Sequence, residues 1–241
     1  MVSFAPETIF HLGQVPITNT LLHTVIVDVL LIGGAIYVNK KLTLVPTNFF
    51  QNAMESIIET FYNLTESVAQ HAASKIFPYF MSFFLFILLS NWSSLLPGFG
   101  TIGIMEHGEL VPFLRGSMSD LNTTLGLALV SAVATHMLSV RTIGIKNYLS
   151  RYFSLNPLNL FIGLLEIISE ITKVVSLSFR LFGNIFAGEV VLLTVSSIFA
   201  FVFPLPFLML EVIVGLVQAL VFSMLTMVFM AILTTSHKQS H

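Results

Sequence analysis

Residues 157–203 read PLNLFIGLLEIISEITKVVSLSFRLFGNIFAGEVVLLTVSSIFAFVF, an apolar run broken by a handful of charges. As one helix, about 47 residues at about 1.5 Å each would reach about 70 Å, against about 30 Å of hydrocarbon in a bilayer. Such a segment is predicted to tilt strongly, bend, or leave the membrane. Pro204-Leu205-Pro206 follows, and then a second apolar stretch, 207–235, that is also long for an upright span. Two long helices joined by a Pro-x-Pro turn make a slanted antiparallel hairpin over about 157–235, and a steep slant in lipid calls for a protein surface to lie against.

The rest of the chain has the same character. It is 55% hydrophobic and 9% charged, with a mean hydropathy of +0.91, whereas soluble domains average about 25% charged residues. Further apolar stretches lie at 17–38, 77–97 and 121–140, so the reading is an all-α polytopic membrane protein with about five membrane helices, a single domain over 1–241. Residues 47–72 differ: Met54, Ile57, Ile58, Phe61 and Leu64 alternate with Glu55, Glu59 and Glu66, which predicts an amphipathic helix at the membrane surface or against a neighbour. Pro46, Pro78, Pro97, Pro112, Pro157 and the Pro204/Pro206 pair fall at predicted segment edges. The absence of cysteine excludes disulfides and thiolate metal sites, and the net charge of -2 argues against nucleic-acid binding.

Basic residues mark one side. They sit at Lys40-Lys41, at Arg141, Lys146 and Arg151, and at Lys238, while 98–120 carries Glu106, Glu109 and Asp120 against Arg115. The positive-inside rule puts the amino terminus and the 98–120 loop outside and the carboxyl terminus in the cytoplasm. The first twenty residues hold Glu7 and His11 but no Lys or Arg, so a secretory signal is not expected and the amino terminus is expected to be retained.

Arg180 lies within Ser176-Leu177-Ser178-Phe179-Arg180-Leu181-Phe182-Gly183-Asn184. A charge at the centre of a spanning helix costs roughly 2.5–3.5 kcal/mol on insertion scales, and such residues face a polar cavity or a partner and mark ion pathways. Arginine cannot relieve the cost by losing its proton. At about 100° per residue, Glu166, Glu170, Lys173, Arg180 and Asn184 project within about 80° of one another, along roughly 27 Å of helix. Ser169 and Ser176 flank that stripe. Glu189 projects about 180° from Arg180, so the two are not an ion pair on one helix face. On the last stretch Glu211 and Gln218, seven apart, share a face that a hairpin turns toward 180–189.

These placements outline two polar vestibules, one near Glu166, Glu170 and Lys173 and one near Glu189 and Glu211, with Arg180 between them. A fixed positive charge at the divide blocks a continuous proton wire. What passes Arg180 must then ride on an acid of a moving partner, ionised beside the cation and neutral in apolar surroundings.

Ser-Leu-Ser-Phe-Arg-Leu-Phe-Gly-Asn followed by Ala187-Gly188-Glu189 resembles the signature of subunit a of F-type ATP synthases. The likeness extends to Asn91 through Pro97, to Asp120-x-Asn122-x-Thr124 and to Gln218-Ala219 with Phe222. It implies a subunit that abuts a ring of c subunits, supplies two offset proton half-channels, and assembles with b-type peripheral stalk and other ATP synthase subunits in a bacterial inner membrane. It also implies that Arg180 faces the ring carboxylates, with Asn184 and Gln218 as polar neighbours and Glu189 and Glu211 on the outer half-channel. His136, Ser176, Lys173 and Glu166 fall near the cytoplasmic half-channel. Trp92-Ser93-Ser94 departs from the family pattern, and the amino-terminal region is short.

Plainer readings stand beside these. Arg180 can snorkel to a headgroup, although its depth argues against that. Glu166, Glu170 and Lys173 can be merely solvated near a helix end. Asp120 and Asn122 can cap the third span or line the outer half-channel. His23 and Asp28 can line the outer vestibule, pair with another subunit, or make structural contacts. His237 and His241, four apart, sit in a short polar tail where no metal role is expected. A secondary transporter is the alternative function and predicts internal repeats, which the sequence lacks. His-Glu-x-x-His, Gly-x-Ser-x-Gly and phosphate-binding loops are absent, so no cofactor is expected and any ATP chemistry belongs to other chains.

Overall fold

Small side chains decide where the helices meet. Along 121–143 Thr124, Ala128, Ser131, Thr135 and Ser139 recur at helical spacing and all are buried. A face this small lets backbones approach in lipid and lets hydroxyls bond across the contact. Ser131 Oγ lies 2.9 Å from Thr226 Oγ1, Ser139 Oγ donates to the Leu233 carbonyl at 2.6 Å, and Thr124 Oγ1 lies 3.3 Å from Ser178 Oγ.

The computed structural model describes residues 6–12, 15–43, 49–96, 99, 103–106, 109–152, 157–198 and 204–234. Seven α-helices appear among them: α1 (Asn19–Lys41), α2 (Phe49–Ala69), α3 (Ala73–Ser94), α4 (Leu121–Ile143), α5 (Ile145–Tyr152), α6 (Pro157–Ile198) and α7 (Pro204–Thr234). Short 3₁₀ turns at Gln70–Ala72 and Ser117–Ser119 precede α3 and α4. Four stretches are long and apolar enough to cross a membrane: Asn19–Lys41, Gln51–Ser94, Leu121–Ile143 and Pro204–Thr234. The fifth apolar run of the sequence is α6, 42 residues long, which carries Glu166, Glu170, Lys173, Arg180 and Glu189. The protein is all-α and integral to the membrane.

Two antiparallel hairpins were not legible in the composition. β1 (Thr8–Leu12) pairs with β2 (Val15–Thr18), and β3 (Gly103–Glu106) with β4 (Glu109–Pro112), at the chain start and in the interval read as a loop. Proline punctuation holds at Pro157 and Pro204, each the first residue of its helix, where the missing N–H leaves no bond unmade. Pro78 is a correction. It lies inside α3, because that helix begins at Ala73 and continues from α2 through the 3₁₀ turn, where Gln70 takes a φ of 45°. Pro46, Pro97, Lys238, His237 and His241 lie outside the described residues.

The core sits between α3, α4, α6 and α7. Leu177, Leu181 and Ile185, at successive i, i+4 positions of α6, pack with Phe83, Phe84 and Ile87 of α3 and with Ala219 and Phe222 of α7. A helix that turns these residues inward turns Phe179 to the far face and leaves Arg180 on the flank, about 100° round. The antiparallel course of α6 and α7 follows from their contacts: Lys173 lies over the Phe229 ring, Asn184 meets Gln218, and Gly188 meets Glu211. At the α3–α7 seam Asn91 Nδ2 donates to the Gly215 carbonyl and Trp92 Nε1 to the Val212 carbonyl, both at 3.1 Å. α2 lays Phe61 against Phe80 and Phe84, so its amphipathic pattern serves a protein neighbour.

α1 is held to the bundle by His23, which is 1% exposed. Its Nδ1 accepts from the Ser117 backbone N–H at 3.0 Å, which leaves Nε2 to donate to Ser93 Oγ at 2.8 Å. Of the readings open for His23, the structural contact is the one observed. Asp28, one turn further along α1, is exposed.

Candidate functional site

Arg180 projects from the flank of α6. It is exposed, and among the described residues its hydrogen bond is from Nη2 to Ser176 Oγ at 3.4 Å. No carboxylate of the described chain pairs with it. Ser176 and Asn184 flank it on the same face, and further along the helix Ile162 and Val191, within about 20° of Arg180 around the axis, are 53% and 43% exposed. One turn on, Asn184 Nδ2 donates to Gln218 Oε1 of α7 at 2.8 Å, and Gln218 is buried. An open groove of about 420 Å³ runs from Arg180 toward the Pro157 end of α6, lined by Ser169, Lys173, Ser176, Leu225 and Phe229 among others.

At the far end of that groove the polar residues are linked. Lys173 Nζ donates to Glu170 Oε1 at 2.7 Å and lies 4.6 Å from the centre of the Phe229 ring. His136 Nε2, from α4, lies 3.8 Å from Glu170 Oε2, and His136 Nδ1 lies 2.8 Å from the Tyr148 hydroxyl of α5. Glu166, one turn earlier on α6, acts electrostatically on Tyr152, whose phenol burial pushes well above the usual tyrosine range. The stripe read from the sequence is therefore joined by a residue the sequence did not single out. Tyr148 carries a faint signal, two tyrosines four apart in the short basic segment after the third span.

The turn that delivers Tyr148 depends on Gly144. This residue ends α4 with φ 81° and ψ 149°, a conformation open essentially to glycine, and its N–H caps the Val140 carbonyl at 3.0 Å. α5 starts at once, and the Tyr148 N–H bonds back to the Gly144 carbonyl at 3.0 Å.

Toward the Pro204 end, Glu211 of α7 is 8% exposed and pushes its carboxylate against Gly188 of α6, where an added Cβ would overlap it. Glu189 is half-buried and its charge acts on Glu211. The two acids are thus neighbours across the α6–α7 contact, away from Arg180. Asp120 is 7% exposed and caps α4: its Oδ1 accepts from the Asn122 N–H at 3.0 Å, and its Oδ2 from the hydroxyls of Thr20 and Thr123, each at 3.3 Å. Asn122 is exposed. Asp120 therefore has the capping geometry, with both oxygens occupied.

The arrangement exposes a permanent cation on α6 and sets titratable groups toward both ends of that helix. Residues 20–231 match the sequence profile of a family described as ATP synthase A chain. The chain belongs to that family. It is 32% identical over 237 residues to the ATP synthase subunit a of Moorella thermoacetica, covering 98% of this chain and 100% of the relative. It is 33% identical over 225 residues to ATP synthase subunit a 2 of Pelobacter propionicus, covering 93% and 90%, and 29% identical over 228 residues to a Legionella pneumophila ATP synthase subunit a, covering 95% and 91%. Membership makes the chain a component of the membrane sector of an F-type ATP synthase, concerned with ion transport and ATP synthesis and not itself the catalyst of ATP chemistry.

Proposed function

We propose that this chain is the stationary partner of a rotating c-subunit ring and passes protons to and from it through two offset half-channels. The observation that carries the reading is Arg180, a cation exposed on a mostly apolar helix with no carboxylate of the described chain to pair with. A permanent charge there costs a few kcal/mol unless an acid from outside the chain meets it. A ring carboxylate supplies that acid. It ionises beside Arg180 and takes up a proton once it moves into apolar surroundings, so rotation carries the proton past a point the positive charge closes to direct flow.

The half-channels are assigned by position. Glu166, Glu170, Lys173, Ser176 and His136 form the inner one, at the end of α6 near Arg141 and Lys146, which the positive-inside rule turns to the cytoplasm. Glu189, Glu211 and Gln218 form the outer one, with Asn184 beside Arg180; Asp120 and Asn122 border it, Asp120 as a helix cap. In this orientation the amino terminus lies outside and the carboxyl terminus in the cytoplasm of a bacterial cell. A proton moving down the potential releases about 2.3 kcal/mol per 100 mV, which the ring converts to torque. α6, longer than the bilayer is thick, slants along the ring as α7 backs it. The b-type stalk subunits hold the chain against that torque.

In vesicles holding the whole complex, Arg180→Ala is expected to abolish ATP synthesis driven by a proton gradient while subunit composition stays normal. Retained coupling in a fully assembled Arg180→Ala complex would overturn the proposal.

A further inference from the structure

The inner cluster holds one hydrogen bond that nothing in the reading above uses, the one between Tyr148 and His136. The ring of His136 has two distinct nitrogens, and which of them carries the proton is set by what the other bonds. Nδ1 lies 2.8 Å from the Tyr148 hydroxyl, while Nε2 faces Glu170 Oε2 at 3.8 Å. A carboxylate can only accept, so the side facing Glu170 favours an N–H. Nδ1 is then the free lone pair, and the phenol is its donor. Both contacts select the same tautomer. The 3.8 Å gap is one a water can bridge.

From this geometry we propose that Tyr148 is a positioning residue of the inner half-channel: its hydroxyl donates to His136 Nδ1 and keeps Nε2–H aimed at Glu170. The inference rests on the proposed function and adds a residue to it. Tyr148 lies outside the spanning helices, on an eight-residue helix fixed by the Gly144 turn, so it stands where protons would pass between the cytoplasm and the stripe on α6. Among the described residues, the charged and titratable groups facing His136 are Tyr148 from α5 and Glu170 from α6, with Lys173 bonded to Glu170 and lying over the Phe229 ring of α7. Tyr152 faces Tyr148 at 5.2 Å between ring centres, and Glu166 acts on Tyr152. Without the hydroxyl, no hydrogen bond from the described residues fixes the ring on its Nδ1 side, and the ring is free to flip and present a lone pair to Glu170.

Tyr148→Phe removes the hydroxyl and retains the ring, which makes edge contacts with both His136 and Tyr152. The assay is ATP-driven proton uptake by vesicles carrying the whole complex, measured against the pH of the medium at the inner mouth. Tyr148→Phe is expected to slow uptake about three- to tenfold, the worth of one ordinary hydrogen bond, and to move the pH profile, with subunit content unchanged. In a His136→Gln background the same change is expected to add no further loss. An unchanged rate and profile, or losses that multiply in the double variant, would overturn the inference. Arg180→Ala, assayed alongside, separates the two levels. If it pumps normally, the wider reading fails and takes this inference with it. If it is dead while Tyr148→Phe is silent, only the inference about Tyr148 falls.

Discussion

Gly188 leaves the space that Glu211 fills. A methyl group there would overlap the buried carboxylate, so Gly188→Ala must drive Glu211 out of the α6–α7 contact. The carboxylate is the far end of a flexible side chain and can swing aside at little cost in stability, but the displaced acid would no longer sit beside Glu189. Gly188→Ala is therefore expected to slow gradient-driven ATP synthesis in vesicles, and Glu211→Asp, one methylene shorter, to restore part of the rate when combined with it. No restoration would mean that the clash is not the cause. Glu211→Gln keeps the shape and removes the proton-carrying group; it is expected to slow proton flow by about a hundredfold, the lower end of what a positioned acid–base group contributes. Rates equal to the parent would take Glu211 off the outer path. The facing of these acids was readable before any fold was known, because a 100° step per residue already sets Glu189 opposite Arg180 and stacks Glu211 over Gln218. Tyr148 was not readable: its partner His136 is twelve residues away across a turn, and no helical period links them.

At the scale of elements, α1 shows both how much a sequence declares and where it stops. Its apolar length announced a span, and Thr18 caps its start by accepting from the Leu21 N–H. The anchor of that span, however, is long-range. His23 joins Ser93, seventy residues on, and Ser117, ninety-four on, and such pairings leave no periodic trace. The same holds for the small residues of α4, whose spacing reveals a buried face but not which helix lies on it. His23→Leu would keep α1 apolar and leave the Ser117 N–H and Ser93 Oγ without their buried partner. Ser93 Oγ keeps its bond to the Ser90 carbonyl, so the orphaned group is the Ser117 N–H, at about 1–3 kcal/mol. The variant complex is thus expected to melt several degrees lower in detergent, with His23→Gln, which can still bond one side, falling between. Equal melting of His23→Leu and the parent would show that α1 is held by apolar packing alone. Gly144→Ala tests the other joint: at φ 81° a Cβ is strained by about 1–3 kcal/mol, and the expected result is a reduced proton-uptake rate resembling that of Tyr148→Phe, since the turn that presents Tyr148 is lost.

For the molecule as a whole, exposure alone cannot say where a partner sits, since lipid and protein both cover apolar surface. Val29 on α1 is 64% exposed, and Ile162 and Val191, on the Arg180 face of α6, are 53% and 43% exposed. Charge separates the two faces. The α6 face presents a guanidinium that cannot be neutralised, and a lipid tail offers it nothing, whereas a helix carrying a carboxylate does. The α6 face is therefore the one expected against the ring. Because the chain has no cysteine, single cysteines can report this without background. With a second cysteine placed in a ring subunit at the matching depth, Ile162→Cys and Val191→Cys, both within about 20° of Arg180 around the axis of α6, are expected to form disulfides under mild oxidation of the assembled complex, at several ring positions as the rotor turns. Val29→Cys, more exposed still but on a face without a cation, is expected to form none. Cross-linking from Val29 alone would place the ring on the opposite side of the bundle, and Arg180 would then need a different partner.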